Sequence, residues 1–151
     1  MTIMVLKKRK KRMLAMLVAV VLFLQMGAVS VDAADTRASY YLDSYRAFVH
    51  PAGNGEVQVW FTVTGDTYMD DIGALTIGIY KETDTGGWEH MVTFNHMYYP
   101  DMLGHNEIRH VSHVSYQGVA GETYRAYVCI WAGSDGGGDT RYYWTSAKVA
   151  T

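Results

Sequence analysis

The sequence predicts an all-β domain, a two-layer antiparallel β-sandwich of about seven short strands. Three observations predict it. Apolar and polar residues alternate with period two in several segments beyond residue 44, most clearly over Glu56–Thr64. Clusters of Gly, Asn, Asp and Pro punctuate those segments at short intervals, as in Pro51-Ala52-Gly53-Asn54-Gly55. No stretch of a dozen residues keeps the i, i+3, i+4 apolar spacing and the caps of a helix. A small closed β-barrel is the alternative way of arranging the same strands.

The chain opens on something that is not part of this domain. Six consecutive basic residues, Lys7 to Arg12, run into fourteen uncharged, mostly apolar ones, Met13 to Met26. A basic n-region, a short apolar stretch and a small-residue exit form the pattern of a secretory signal peptide. The apolar stretch is shorter than the roughly 20 residues a spanning helix needs, so it reads as cleaved rather than anchored. The exit Val31-Asp32-Ala33-Ala34 places cleavage between Ala33 and Ala34. The expected organisation is therefore a signal over 1–33, a lead-in over 34–44 and the β domain over 45–151. Export to the extracellular space, with no lasting membrane anchor, is the expected address.

The strands follow in order. Tyr45 to Val49 is the first, and the 51–55 cluster turns it into Glu56 to Thr64. There Val57, Val59, Phe61 and Val63 alternate with Gln58, Trp60, Thr62 and Thr64, so one face belongs to the core. Ala74 to Tyr80 is the third strand, with Leu75, Ile77 and Ile79 inward, and Gly86-Gly87 turns into the fourth, Trp88–Asn95. In that fourth strand Trp88, His90, Val92 and Phe94 share one side. A long connection over 96–105 leads to the fifth strand, Glu107 to Tyr116. Thr123 to Ala132 is the sixth, with Tyr124, Ala126, Val128 and Ile130 on one face, and a flexible Gly-rich loop over 133–139 precedes the seventh, Tyr142 to Val149.

The approach to the sixth strand, Gly118-Val119-Ala120-Gly121-Glu122-Thr123-Tyr124, resembles the corner before the corresponding strand of fibronectin type III and immunoglobulin-like domains. Gly121 and Tyr124 stand in the Gly-x-x-Tyr places, and the resemblance implies that the tyrosine hydroxyl bonds back across the loop. A wider resemblance runs through Gly53-Asn54-Gly55-Glu56-Val57, Met69-Asp70-Asp71-Ile72-Gly73, Gly121-Glu122-Thr123-Tyr124 and Asp139-Thr140-Arg141. These segments together resemble a family of small secreted proteins of Gram-positive, often gut-dwelling, bacteria, a domain of unknown function. That resemblance implies source and export and brings no activity or catalytic residue.

Composition narrows the partners. The chain has 13 Lys+Arg and 15 Asp+Glu; setting aside the six basic residues of the signal and Asp32 leaves seven against fourteen, a net charge of about −7 with His neutral. Such an acidic domain without a basic stripe does not suit nucleic acid, whose binding rests on neutralising phosphates. The one cysteine, Cys129, cannot form an internal disulfide and sits in an apolar run, which suits a small buried side chain.

Candidate chemistry is sparse. The six histidines, His50, His90, His96, His105, His110 and His113, follow no metal-ligand spacing, and His110 and His113 point to opposite faces of a regular strand. Asp66, Asp70 and Asp71 concentrate carboxylates before the third strand and are the candidate calcium ligands, although glycine and aspartate are also what ordinary turns require. No nucleophile elbow and no cofactor-binding motif is present, so no cofactor and no catalytic residue is expected. The aromatic surplus is more suggestive. Trp60 lies opposite the Val/Phe face of its strand, Trp131 shares a face with Tyr127 and Arg125, and Tyr142-Tyr143-Trp144 adds further rings. Trp60, Tyr127, Trp131 and Tyr143 are the candidate ligand-binding residues, in a strip able to stack on sugar rings or receive a peptide. The leading expectation is a secreted, non-catalytic binding module for a glycan, peptide or protein surface. A structural protein that self-associates through its edge strands and a small hydrolase are the alternatives.

Overall fold

The structure, a computed structural model, describes residues 40–151. The expected signal over 1–33, its Ala33–Ala34 junction and the start of the lead-in lie outside the described residues. The domain is all-β and antiparallel, with seven strands: β1 (Leu42–Gly53), β2 (Glu56–Glu82), β3 (Trp88–Asn95), β4 (Leu103–Gln117), β5 (Thr123–Ser134), β6 (Gly137–Trp144) and β7 (Lys148–Val149). One 3-10 turn, Pro100–Met102, lies between β3 and β4.

The count agrees with the sequence, but three of the expected strands are drawn differently. The expected second and third strands are one continuous strand, β2, of 27 residues. Its first half pairs with β1 on one side and β4 on the other; its second half pairs with β5 and β3. The polar stretch from Asp66 to Asp71, which reads as a loop, is the bend by which β2 passes from one half-sheet to the other. Pairing with β4 is interrupted between Thr64 and Met69, as happens where a strand changes layers. Asp66, Thr67, Tyr68 and Asp70 stay exposed there while Met69 and Ile72 are buried, so the extended backbone is anchored from inside. Gly73 closes the bend at φ +149, and a Cβ there would run into the Met102 carbonyl. Conversely, the expected last strand divides into β6 and β7.

Two turns are tighter than expected. The five-residue loop over 51–55 is a two-residue hairpin, since Gly53 already pairs with Glu56 and Asn54 and Gly55 take φ of 52 and 79. The Gly-rich loop over 133–139 is likewise a hairpin: Ser134 pairs with Gly137 around Asp135 (φ 54) and Gly136 (φ 78). Asn-Gly and Asp-Gly are the dipeptides that accept two successive positive φ values, which match the strand twist.

The inward positions of both halves of β2 share one core. Val57, Val59, Phe61 and Val63 from the first half meet Ala74, Ile77 and Ile79 from the second, with Tyr124, Ala126, Val128, Ile130 and Ala132 from β5. A register shift between Ala74 and Thr76 gives Ala74 the buried place that alternation assigned to Leu75. The tyrosine corner is present: the Val119 N–H donates to the Tyr124 hydroxyl at 3.0 Å, and Gly121 takes φ +89. Gly55 N–H donates to Thr151 O at 2.8 Å and Gly121 N–H to Ala150 O at 2.8 Å, so the chain end is tied to the β1–β2 hairpin and to that corner.

Candidate functional site

The outward face of the half-sheet β3-β2-β5-β6 carries a continuous aromatic strip. Alternation builds most of it. On β5 the inward residues are even-numbered, so Arg125, Tyr127, Cys129, Trp131 and Gly133 face out. Their partners on β6 are Trp144 opposite Tyr127, Tyr142 opposite Cys129, Thr140 opposite Trp131 and Gly138 opposite Gly133. From β2 comes Tyr80, paired with Arg125.

Side-chain contacts join these residues. The Arg125 guanidinium lies between two indoles, 4.0 Å from the Trp88 ring centre and 3.9 Å from that of Trp144. Trp144 meets Tyr80 edge-on at 4.8 Å and Tyr127 at 4.8 Å, and Tyr127 lies nearly parallel to Tyr142 at 6.1 Å. Each aromatic pair contributes about 1 kcal/mol beyond its buried area, so the strip is held by its own rings. It remains open to solvent: Tyr142 is 61% exposed, Trp144 43% and Tyr127 37%. Trp131 ends the strip on a glycine floor. A Cβ at Gly133 would lie 2.5 Å from its Cζ2, and one at Gly138 would overlap its six-membered ring.

Between the rings, Cys129 is buried, and burial pushes its thiol above the ordinary value while hydrogen bonds to Tyr142 and Thr76 partly oppose the rise. That thiol also raises the Tyr142 phenol. A protonated, enclosed sulfur is a packing group and not a nucleophile.

The four expected ligand residues are separated by the structure. Tyr127 and Trp131 lie on the strip. Tyr143 has the opposite parity and turns inward against the core; its hydroxyl is buried without a partner and burial raises its phenol strongly. Trp60 is outward but on the other half-sheet, where its face stacks on His113 at 4.3 Å and its Nε1–H donates to Gln58 Oε1 at 2.9 Å. Sequence reading missed Trp88 because regular alternation puts it on the side of buried Phe94. A register shift opposite Ile79 and Tyr80 reverses the faces: Val92 and Phe94 stay inward, while His90 and Trp88 come outside beside Tyr80 and Arg125.

The acidic residues do not converge. Asp71 Oδ1 pairs with His105 Nδ1 at 2.7 Å, and Asp70 Oδ2 accepts the Asp135 N–H at 2.9 Å, so consecutive carboxylates serve different partners. Asp66 lies exposed at the other end of the bend. Among the described residues no three His, Cys, Asp or Glu side chains are placed to hold a metal ion. A cleft of about 460 Å³ lies between the 3-10 turn and β4, lined by Tyr98, Tyr99, Asp101, Met102, His113 and Ser115. His113 and Ser115 are two positions apart on a strand, about 7 Å, and no hydrogen bond links them as a base and nucleophile would require.

No family model matches this chain, and no curated protein matches it. Among solved structures, a family 76 glycoside hydrolase from a bovine Bacteroides thetaiotaomicron strain aligns with 70% of this chain and 20% of its own, at 15% identity and a TM-score of 0.31. The chain spans about a fifth of that protein's length, and a likeness this loose carries neither fold nor function. The strip itself remains the basis for a reading of function. Along β5 and β6 its outward positions hold one charge, that of Arg125.

Proposed function

We propose that this chain is an exported, non-catalytic binding module whose ligand lies on the aromatic strip. One observation carries the reading: Arg125, Trp144, Tyr127 and Tyr142 are joined by side-chain contacts on one sheet face with the three rings open to solvent, and half-buried Trp131 lies further along that face. Large rigid rings give contact area at little entropic cost, and exposed aromatic surface of this extent marks an interaction site. The signal pattern over 1–33 and the resemblance to secreted proteins of Gram-positive bacteria supply the address, an extracellular one. The acidic balance disfavours nucleic acid and anionic membrane surfaces as partners. Neither the cleft by β4 nor the buried thiol offers the paired groups that catalysis needs.

The test is a binding screen against immobilised glycans, peptides and extracellular proteins, repeated with Trp144→Ala and Trp60→Ala. Binding that Trp144→Ala weakens about tenfold and Trp60→Ala leaves unchanged supports the reading. Binding lost only in Trp60→Ala, or turnover of a bound probe, overturns it.

A further inference from the structure

We propose that the strip takes an extended, neutral polysaccharide chain laid along β5 and β6. The inference rests on the strip being the ligand face and names what that face selects. Four observations lead to it.

The first is position. β5 is paired on both sides, with β2 on one and β6 on the other, so its backbone has no free edge to offer an extended peptide. Peptides that add to sheets use such an edge. Among the described residues the open edge beside β5 is the outer edge of β6, whereas the rings stand on the face.

The second is shape. From Arg125 to Trp131 the strip follows seven residues of β5, about 20 Å end to end, and Tyr127, Tyr142 and Trp131 recur along it. Trp131 lies against the glycine backbone of the β5–β6 hairpin, because Gly133 and Gly138 leave room for the indole and any side chain there would lift it. A linear series of rings suits a linear chain of pyranose rings, whose axial C–H groups pack on aromatic side chains.

The third is the hydrogen-bonding inventory. Arg125 has both faces covered by indoles, its Nε is buried without a partner, and among the described residues none of its N–H groups reaches a protein acceptor. Its Nη donors are left for a ligand, and sugar hydroxyl and ring oxygens are neutral acceptors that suit them.

The fourth is charge. Residues 34–151 hold seven basic residues against fourteen acidic, and the outward positions of β5 and β6 add one cation and no carboxylate. A polyanion would be repelled by the domain as a whole; a neutral chain is not.

The experiment is calorimetric titration of the protein with neutral linear gluco-, xylo- and chito-oligosaccharides of increasing length. Polygalacturonate is the anionic arm, a Tyr-rich peptide the protein-like arm, and each is run at low and high salt. The expected result is affinity that climbs with chain length and then levels off, unchanged by salt. Trp131→Ala should weaken it about tenfold. Gly138→Ala, which removes no ring but lifts the Trp131 indole, should weaken it several-fold with an unaltered circular dichroism spectrum. Polygalacturonate bound through Trp131 in a salt-sensitive way, or peptide bound in preference to every sugar, would overturn the neutral-glycan class and leave the strip as the ligand face. Sugar binding indifferent to Trp131→Ala and to Trp144→Ala would overturn both readings. Failure of all neutral sugars to bind would overturn this one alone.

Discussion

Trp60 and Trp144 each point outward from an antiparallel strand, and each is an indole on a sheet with a shared core beneath it. Their surroundings differ. Trp60 has its face on His113 and its N–H on Gln58, whose own amide bonds Glu56, so both the apolar and polar parts of the ring are engaged locally. Trp144 touches Arg125, Tyr80 and Tyr127 and is still 43% exposed, one member of a chain of rings that runs across strands. An outward tryptophan is thus not by itself a binding residue. The face of β1-β2-β4 carries a shorter series, Arg46 over Phe48, Phe48 opposite Trp60 and Trp60 on His113, whereas that of β3-β2-β5-β6 joins two indoles, three tyrosines and Arg125 across four strands.

The contrast depends on β2 serving both half-sheets, and Gly73→Ala attacks it most severely. The substitution places a Cβ against the Met102 carbonyl at a positive φ, so a loss of about 3 kcal/mol or more is expected. Urea unfolding should show a much lower midpoint with both faces lost together. Arg125→Ala comes next. It removes the cation from between two indoles, worth about 1–2 kcal/mol of stability in all, and it should redden Trp88 and Trp144 fluorescence as they gain water. Trp60→Ala should leave ligand binding on the strip untouched.

Tyr124→Phe tests the corner that both half-sheets share. It leaves the Val119 N–H without its acceptor and should cost about 1 kcal/mol in denaturant unfolding. Tyr143→Phe works in the opposite direction and is the smallest effect. Removing a buried, unpartnered hydroxyl should gain up to about 1 kcal/mol. The pH dependence has a definite sign. Burial raises the Tyr143 phenol in the folded state, so the unfolded chain ionises first and stability falls as pH rises above about 10. Below that pH the contribution is intact. Thermal unfolding of Tyr143→Phe should show a shallower alkaline decline than the parent chain.

Much of this was readable from the residues, and the failures have common physical causes. The β class and the inward residues of β5 followed from period-two alternation, which a strand with one buried face must obey. The corner followed from Gly121 and Tyr124. Alternation fails wherever an extra residue enters a ladder. The shift beside Ile79 and Tyr80 moved Trp88 from the expected inner side to the strip, and the shift near Ala74 displaced Leu75. Composition misled at Asp66–Asp71, because an exposed bend in a strand and a loop need the same polar residues. Tyr143 was avoidable: its neighbours Tyr142 and Trp144 share the outward parity, and a residue between them must face in. The unpaired donors of Arg125 had no sequence signature, since they depend on two indoles brought in from β3 and β6.

The most direct test of the strip is backbone NMR during titration with a neutral linear oligosaccharide. Shift changes gathered at Arg125, Tyr127, Trp131, Tyr142 and Trp144, with Gln58, Trp60 and His113 unmoved, are the predicted outcome. Changes centred on Trp60 and His113, with β5 and β6 silent, would contradict it.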